Sequence, residues 1–216
     1  MFNLLCLAAA VCALAAIAAD WEERRHPSFY LLKPLTTLLI TGIALLGAPD
    51  DYRTLVVVAL LLSCAGDICL MFKGDSWFIG GLGSFLVAHL VFVAAYVVRM
   101  PEVDGVRTFN LPWWSAVYAV YGLGFFGWLL PKTGKLMLPV IVYGIALMSM
   151  AVVASALWVQ RQDSAALLAL VGASVFVISD SSLAVRQFSG SYRGAQALIL
   201  STYWLAVGLI AASAVL

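Results

Sequence analysis

Charged residues are scarce in this sequence of 216 residues: they make up 11% of it, whereas 64% of the residues are hydrophobic. A soluble domain is roughly a quarter charged, so this chain has too few charged residues to cover a water-facing surface. Acidic and basic residues nearly balance, and the formal net charge is +1. A nucleic-acid-binding domain carries a basic stripe, and none is present. The composition excludes an ordinary soluble domain and a nucleic-acid partner, and it indicates an integral membrane protein surrounded by lipid.

The sequence also lacks a metal-binding pattern and a charged leader. Its four cysteines lie in apolar runs, and none has metal-ligand spacing with a histidine, so we expect no metal site. The first apolar run, residues 1–19, has no Lys or Arg before it, whereas a signal peptide begins with a charged segment. We therefore interpret this run as a retained first helix.

Long apolar runs, separated by short charged segments, account for nearly the whole chain. A spanning helix needs roughly 20 apolar residues, and the alternation typical of transmembrane barrel strands is absent. The sequence predicts an all-α membrane protein, a bundle of about eight transmembrane helices that forms a single domain over residues 1–216. The predicted helices are 2–19, 29–47, 54–72, 76–98, 111–130, 136–159, 165–186 and 194–215.

The two halves of the chain resemble each other weakly. The third predicted helix ends AGDICLMF and the seventh ends ISDSSLAV, so Asp67 and Asp180 take equivalent places. With one inserted residue, His89 on the fourth helix matches Tyr203 on the eighth. These matches suggest a four-plus-four duplication. Because four is an even number, the halves would share one orientation in the membrane, as parallel repeats do.

Lys and Arg are more frequent on one side of the predicted bundle. The loops after helices 1, 3, 5 and 7 carry seven of them, and the loops after helices 2, 4 and 6 carry four. Because cytoplasmic loops are enriched in Lys and Arg, we expect the first side to be cytoplasmic, in the inner membrane if the source is bacterial. The seven residues are Arg24, Arg25, Lys73, Lys132, Lys135, Arg186 and Arg193.

A few polar side chains are predicted to lie inside the spans. An ionisable residue there costs roughly 2.5–3.5 kcal/mol on insertion scales, so a helix keeps one only for a reason. The ionisable ones are Lys33, Asp67, His89 and Asp180. Hydroxyl groups reach the same half of the membrane from Tyr143, Ser179 and Tyr203. The sequence predicts a polar pocket formed by these residues in the cytoplasmic half of the bundle.

Two buried carboxyl groups beside a lysine can divide acid and base work. Burial and a second carboxylate favour the protonated form of one carboxyl group, while a neighbouring ammonium keeps the other ionised. Such a pair is typical of a general acid and a general base. We predict that Asp67 and Asp180 are catalytic, and that the remaining pocket residues bind substrate or tune the pair. A structural alternative stays open, in which Lys33 and one aspartate lock two helices and His89 bridges two others.

Four segments, in order along the chain, resemble the lysoplasmalogenase (YhhN-like) family of integral membrane proteins. They are KPLTT at 33–37, GDICLMF at 66–72, FIGGLGSFLVAHLVFVAAY at 78–96 and SDSSLAVRQF at 179–188. The resemblance implies an eight-helix hydrolase that cleaves the vinyl ether bond of a lysophospholipid, the lysoplasmalogen, in the membrane and without a metal cofactor. The implied products are a fatty aldehyde and glycerophosphoethanolamine or glycerophosphocholine.

The implied reaction suits the two aspartates. A vinyl ether hydrolyses when its β-carbon is protonated, which gives an oxocarbenium ion that water then attacks. This chemistry needs one protonated carboxyl group as the acid and one carboxylate to stabilise the cation and activate water, much as in glycosidases. Which aspartate donates the proton stays open at this point.

Two other functions remain open as well. An intramembrane aspartyl protease also carries two aspartates on separate helices, one of them after a glycine, as in Gly66–Asp67. Cys64, however, stands where the Gly-x-Gly-Asp motif of such proteases has its first glycine. A small proton-coupled transporter would use intramembrane Asp, Lys and His residues as a proton relay. No polar track to the opposite membrane face is evident in the sequence.

Overall fold

Eight α-helices make up most of the computed structural model, which describes residues 1–21, 26–103, 105–107 and 109–216. Seven helical segments are long and apolar enough to cross a membrane, and the eighth, Phe29–Ala44, is a shorter apolar helix. The prediction of an all-α bundle of about eight transmembrane helices is thereby confirmed. Which face is cytoplasmic stays a prediction, and two of its residues, Arg24 and Arg25, lie outside the described residues.

The helices follow one another with short connections. They are α1 (Phe2–Ala19), α2 (Phe29–Ala44), α3 (Asp51–Leu70), α4 (Asp75–Arg99), α5 (Ala116–Leu129), α6 (Met137–Arg161), α7 (Ser164–Ser189) and α8 (Ala195–Ser213). The longest connection, between α4 and α5, contains a two-stranded antiparallel hairpin of β1 (Glu102–Val103) and β2 (Val106–Arg107).

Most predicted helix ends differ from the structure by one to five residues, and one of them differs for a clear physical reason. The sequence predicts the second helix over 29–47, whereas α2 ends at Ala44. The chain then passes so close to the end of α8 that a Cβ on Gly47 would lie 1.9 Å from the backbone oxygen of Ala214. Gly47 therefore marks a close contact between two chain segments and not the last turn of a helix.

The third helix of each half begins in the same way. The Asp50 side chain accepts a hydrogen bond from the backbone N–H of Arg53 at 2.7 Å, at the start of α3. Asp163 accepts one from the N–H of Ala166 at 2.8 Å, at the start of α7. An aspartate in this position satisfies a free N–H group and suits the positive end of the helix dipole.

Six helices form a closed ring, and two lie outside it. Neighbours around the ring are α2, α3, α4, α6, α7 and α8, and α8 packs back against α2. Outside the ring, α1 packs on α2 and α8, and α5 packs mainly on α6. Close approach depends on small residues: a Cβ on Gly172 of α7 would lie 2.7 Å from the Cγ1 atom of Ile210 on α8.

The ring has the arrangement that a duplication would produce. Adding four to each helix number converts the α3–α4 contact into α7–α8, the α2–α3 contact into α6–α7, and the α2–α8 contact into α6–α4. All of these pairs pack together, and each outer helix, α1 or α5, packs mainly on the second helix of its own half. Their further contacts differ, because α1 also packs on α8 whereas α5 also packs on α7. The arrangement agrees with the four-plus-four repeat and brings Asp67 on α3 and Asp180 on α7 to equivalent positions in the ring.

Candidate functional site

A polar cavity of about 550 Å³ lies where α2, α3, α7 and α8 meet. It is near the helix ends that are connected by the loops after α1, α3 and α7. Its lining includes Lys33, Asp67, Ser179, Asp180 and Tyr203. Five of the seven predicted site residues thus share one chamber, although they come from four different helices.

Asp67 lies at the centre of a network of charged and polar side chains and is only 1% exposed. The Nζ atom of Lys33 is 3.2 Å from its Oδ1 atom. Thr37 and Tyr203 each donate a hydrogen bond to its Oδ2 atom at 2.7 Å. Thr37 is itself held by the indole N–H of Trp204, which donates to it at 3.3 Å. A cation and two hydroxyl donors stabilise the charged carboxylate of Asp67.

Asp180 is 9% exposed and has a less charged environment. Tyr143 donates a hydrogen bond to its Oδ2 atom. The Nε2 atom of His89 lies 3.9 Å from the same oxygen, too far for a hydrogen bond. Within the described ranges, no Lys or Arg side chain forms an ion pair with Asp180. Among the residues that the structure describes, Asp180 therefore has no counterpart of Lys33.

His89 is fully buried beside this carboxyl group. Its ring packs edge-on against Phe176, with centroids 4.8 Å apart, and against Tyr143 at 5.2 Å. Neither ring nitrogen has a hydrogen-bond partner among the residues that the structure describes. The imidazole thus lies next to Asp180, and no hydrogen bond from a described residue fixes its orientation.

Ser179 lines the polar cavity, but its hydroxyl group is already engaged. The Oγ atom donates to the backbone carbonyl of Ile199 at 3.1 Å, so it ties α7 to α8. The predicted role of Ser179 in binding substrate is therefore less direct than that of its neighbours, because its one donor is used within the protein.

Three further polar residues line the same cavity and were not predicted as site residues. Gln196 donates to the Oδ2 atom of Asp20 at 2.6 Å, and Arg186 donates to the side-chain oxygen of Gln196. Asp20 is 2% exposed at the end of α1, and Arg186 belongs to α7 and not to a loop. In the sequence, their only signal is a polar or charged side chain near the end of a span, which many loop residues share.

An apolar cavity of about 590 Å³ adjoins the polar one, between α4, α5, α6 and α7. Tyr143 lies in its wall. The two cavities share Leu70, Phe85, Asp180 and Leu183. Asp180 is thus located where a polar chamber meets an apolar one.

The arrangement supports proton transfer and charge stabilisation. Two buried carboxyl groups reach one cavity, and one of them has a lysine beside it. Over the described parts of the chain, no group of three or more His, Cys, Asp or Glu side chains is suited to hold a metal ion. Carboxyl groups in such surroundings have the chemistry of general acids and bases.

Comparisons with known proteins are consistent with each other. The model of the YhhN family matches residues 28–214. A protein of Mycobacterium bovis named Lysoplasmalogenase is 34% identical over 184 residues, which cover 83% of this chain and 65% of that protein. The chain thus spans just under two thirds of this bacterial relative.

Two human proteins are similar as well. Lysoplasmalogenase TMEM86B is 30% identical over 189 residues, which cover 85% of this chain and 74% of that protein. Lysoplasmalogenase TMEM86A is 31% identical over 199 residues, which cover 82% of this chain and 72% of that protein. No solved structure matches the chain.

Proposed function

This chain belongs to the YhhN family, and on that premise we propose that it is a membrane-embedded hydrolase of lysoplasmalogens. It cleaves the vinyl ether bond and releases a fatty aldehyde together with glycerophosphoethanolamine or glycerophosphocholine. The observation that carries the proposal is the pair of buried aspartates, Asp67 and Asp180, which line one cavity in different electrostatic surroundings. The names of the bacterial and human relatives support the substrate class.

The surroundings of the two aspartates favour different roles. Lys33 and two hydroxyl donors stabilise the ionised form of Asp67. Asp180 lies at the edge of the apolar cavity and lacks such a cation among the described residues, so the neutral acid costs less there than the carboxylate. We therefore assign Asp180 as the general acid and Asp67 as the charge-stabilising base.

The reaction then proceeds by protonation of the vinyl ether, attack of water and breakdown of the hemiacetal. The carboxyl group of Asp180 transfers its proton to the β-carbon of the vinyl ether, and the positive charge left on the α-carbon and the ether oxygen faces the carboxylate of Asp67. Water attacks the α-carbon and gives a proton to Asp67, which leaves a hemiacetal. As the bond between the α-carbon and the glycerol oxygen breaks, Asp67 protonates that oxygen and Asp180 takes the hydroxyl proton, so both aspartates regain their first state.

The headgroup fits the remaining polar residues of the cavity. A lysoplasmalogen carries a phosphate and an ammonium group, which have opposite charges. Arg186 and Asp20 both line the cavity and carry opposite charges, as the headgroup does. We assign the phosphate to the side of Arg186, because a guanidinium group binds phosphate through two parallel hydrogen bonds.

A labelling experiment tests the proposal. Purified protein in detergent is incubated with a lysoplasmalogen and, separately, with its saturated alkyl ether analogue, both in deuterated water. We expect aldehyde from the vinyl ether alone, with one deuterium on the carbon next to the carbonyl group, because the acid proton comes from solvent. With heavy-oxygen water, the glycerol product should contain no label, because water attacks the chain carbon.

Other results would point to other functions. Aldehyde without deuterium would contradict the proton-transfer step, and the absence of aldehyde would contradict the proposal as a whole. Cleavage of a membrane peptide by the same preparation would favour an aspartyl protease. Proton-coupled uptake into vesicles without aldehyde release would favour a transporter.

A further inference from the structure

We propose that the apolar cavity between α4, α5, α6 and α7 binds the hydrocarbon chain of a single-chain lipid, which enters from the bilayer between α4 and α5. The identity of the reacting group at the end of that chain rests on the proposed function. The location of the chain rests on the cavity itself, and the two are tested separately below.

The cavity has the lining of an apolar ligand site, because almost all of its wall is hydrophobic side chains. Aromatic rings from four helices line it, including Phe78, Phe125, Tyr143 and Phe188. Asp180 is the one carboxyl group among its described lining residues, so the wall is apolar except at one end.

The helices around the cavity do not pack equally closely. On the α5–α6 side, Phe126 packs so tightly on Gly144 that a Cβ there would lie 1.7 Å from the ring. Near the start of α4 and the end of α7, the rings of Phe78 and Phe188 meet edge to face with centroids 5.9 Å apart. By contrast, α4 and α5 make few direct contacts with each other in the described structure, although both line the cavity. We therefore place the route by which a chain reaches the cavity from lipid between these two helices.

The two cavities together have the shape of a single-chain lipid. The polar cavity contains the charged side chains and the apolar cavity contains the rings, and both share Asp180 and Leu183. A lysophospholipid has the same division, with its polar headgroup and its apolar chain joined at the ether. A chain in the apolar cavity thus brings its first carbons to the carboxyl group of Asp180. A water-soluble ligand without a hydrocarbon chain would not occupy this apolar cavity.

One substitution narrows the cavity directly. Ala184 lies one helical turn after Asp180 and lines the apolar cavity. In Ala184→Phe, we expect kcat/KM for a hexadecenyl lysoplasmalogen to fall at least about tenfold, because the added ring occupies the space of the chain. For an octenyl substrate we expect a loss at least about threefold smaller, since a shorter chain has fewer carbons beyond the added ring.

The matched control adds the same ring on the outer side of the same helix. Ile178 is 52% exposed, so Ile178→Phe should leave the ratio of the two kcat/KM values unchanged. An Ala184→Phe variant that folds and keeps the chain-length ratio of the unsubstituted protein would overturn the proposal.

A binding experiment is independent of hydrolysis and of the variant's folding. A saturated alkyl ether lysophospholipid with a photoreactive diazirine near the end of its chain is cross-linked to the unsubstituted protein, and the labelled residues are mapped by mass spectrometry. We expect labels on α5 and α7, near Phe125 and Phe188. Labels confined to α1, α2 and α8 would overturn the chain location even if aldehyde is released. Labels on α5 and α7 without aldehyde release would support the chain site and contradict the proposed function.

Discussion

The two halves of this protein place an aspartate in similar surroundings, and the largest difference between these surroundings is a cation. Each carboxyl group has a hydroxyl donor from the second helix of its own half, Thr37 for Asp67 and Tyr143 for Asp180. Each also faces an aromatic side chain from the fourth helix of the other half: Tyr203 donates to Asp67 at 2.7 Å, and His89 lies 3.9 Å from Asp180.

The difference is the cation. Lys33 contacts Asp67 at 3.2 Å, and the described residues provide no equivalent ammonium or guanidinium contact at Asp180. Two halves with the same side chains would give two aspartates of similar proton affinity. Lys33, which has no counterpart at Asp180 among the described residues, makes them unequal, which is what an acid and a base require.

The largest effect is expected when either carboxyl group is removed. We predict that Asp67→Asn and Asp180→Asn each reduce kcat by about 10²–10⁴-fold, the usual contribution of a general acid or base. Aldehyde release measures the loss, and thermal unfolding in detergent shows that the variants fold. Asp51→Asn, at an exposed position in the first turn of α3, is the matched control and should keep full activity. Full activity in either site variant would remove that aspartate from the mechanism.

Removing the lysine makes the surroundings of Asp67 similar to those of Asp180. In Lys33→Met, the buried carboxylate loses its partner, so we expect a loss of about 3–5 kcal/mol in the free energy of unfolding and a large loss of activity. The second change Asp67→Asn should restore stability, because no charge is then buried, but not activity. Chemical unfolding in detergent and aldehyde release are measured on both variants. Full activity in the single variant would mean that the ion pair only locks α2 to α3.

The two tyrosines allow a matched comparison of the halves. We predict that Tyr143→Phe lowers kcat about 10–100-fold, because Tyr143 stabilises the carboxylate that Asp180 becomes after it donates its proton. Tyr203→Phe should lower it only a few-fold, because Asp67 keeps Thr37 and Lys33. Kinetics of both variants, side by side, measure the ratio. Equal losses would show that the two sites do not differ in the way that we propose.

The smallest effect is expected at Ser179. Its hydroxyl group is bonded to the backbone of Ile199, so Ser179→Ala should cost about 0.5–1.5 kcal/mol of stability. We expect kcat to remain within about threefold of the unsubstituted protein, since the side chain contacts neither aspartate by a hydrogen bond. Thermal unfolding and the aldehyde assay separate the two effects. A loss as large as that of Tyr143→Phe would restore Ser179 to the substrate-binding set.

Much of the site could be predicted because charge is costly in a membrane. Lys33, Asp67 and Asp180 stand out for that reason alone, and all three line one cavity. Asp20 and Arg186 line it too, yet a charged residue at the end of a span pays no such penalty and therefore gives no signal.

The partners within the site could not be predicted from single positions. Lys33 lies at a similar depth to both aspartates, and only the packing of α2 against α3 pairs it with Asp67. In the same way, Tyr143 contacts Asp180 because α6 packs on α7.

The sequence by itself determined that the chain is a bundle of membrane helices, because hydropathy is a property of each residue. It also identified several of the polar residues that are buried at a cost in free energy, because that cost too belongs to each residue separately. Only the tertiary structure decided which aspartate has the lysine and that a polar and an apolar cavity meet at the other. Those facts depend on how six helices close into a ring, and side chains far apart in the chain acquire their contacts only when that ring forms.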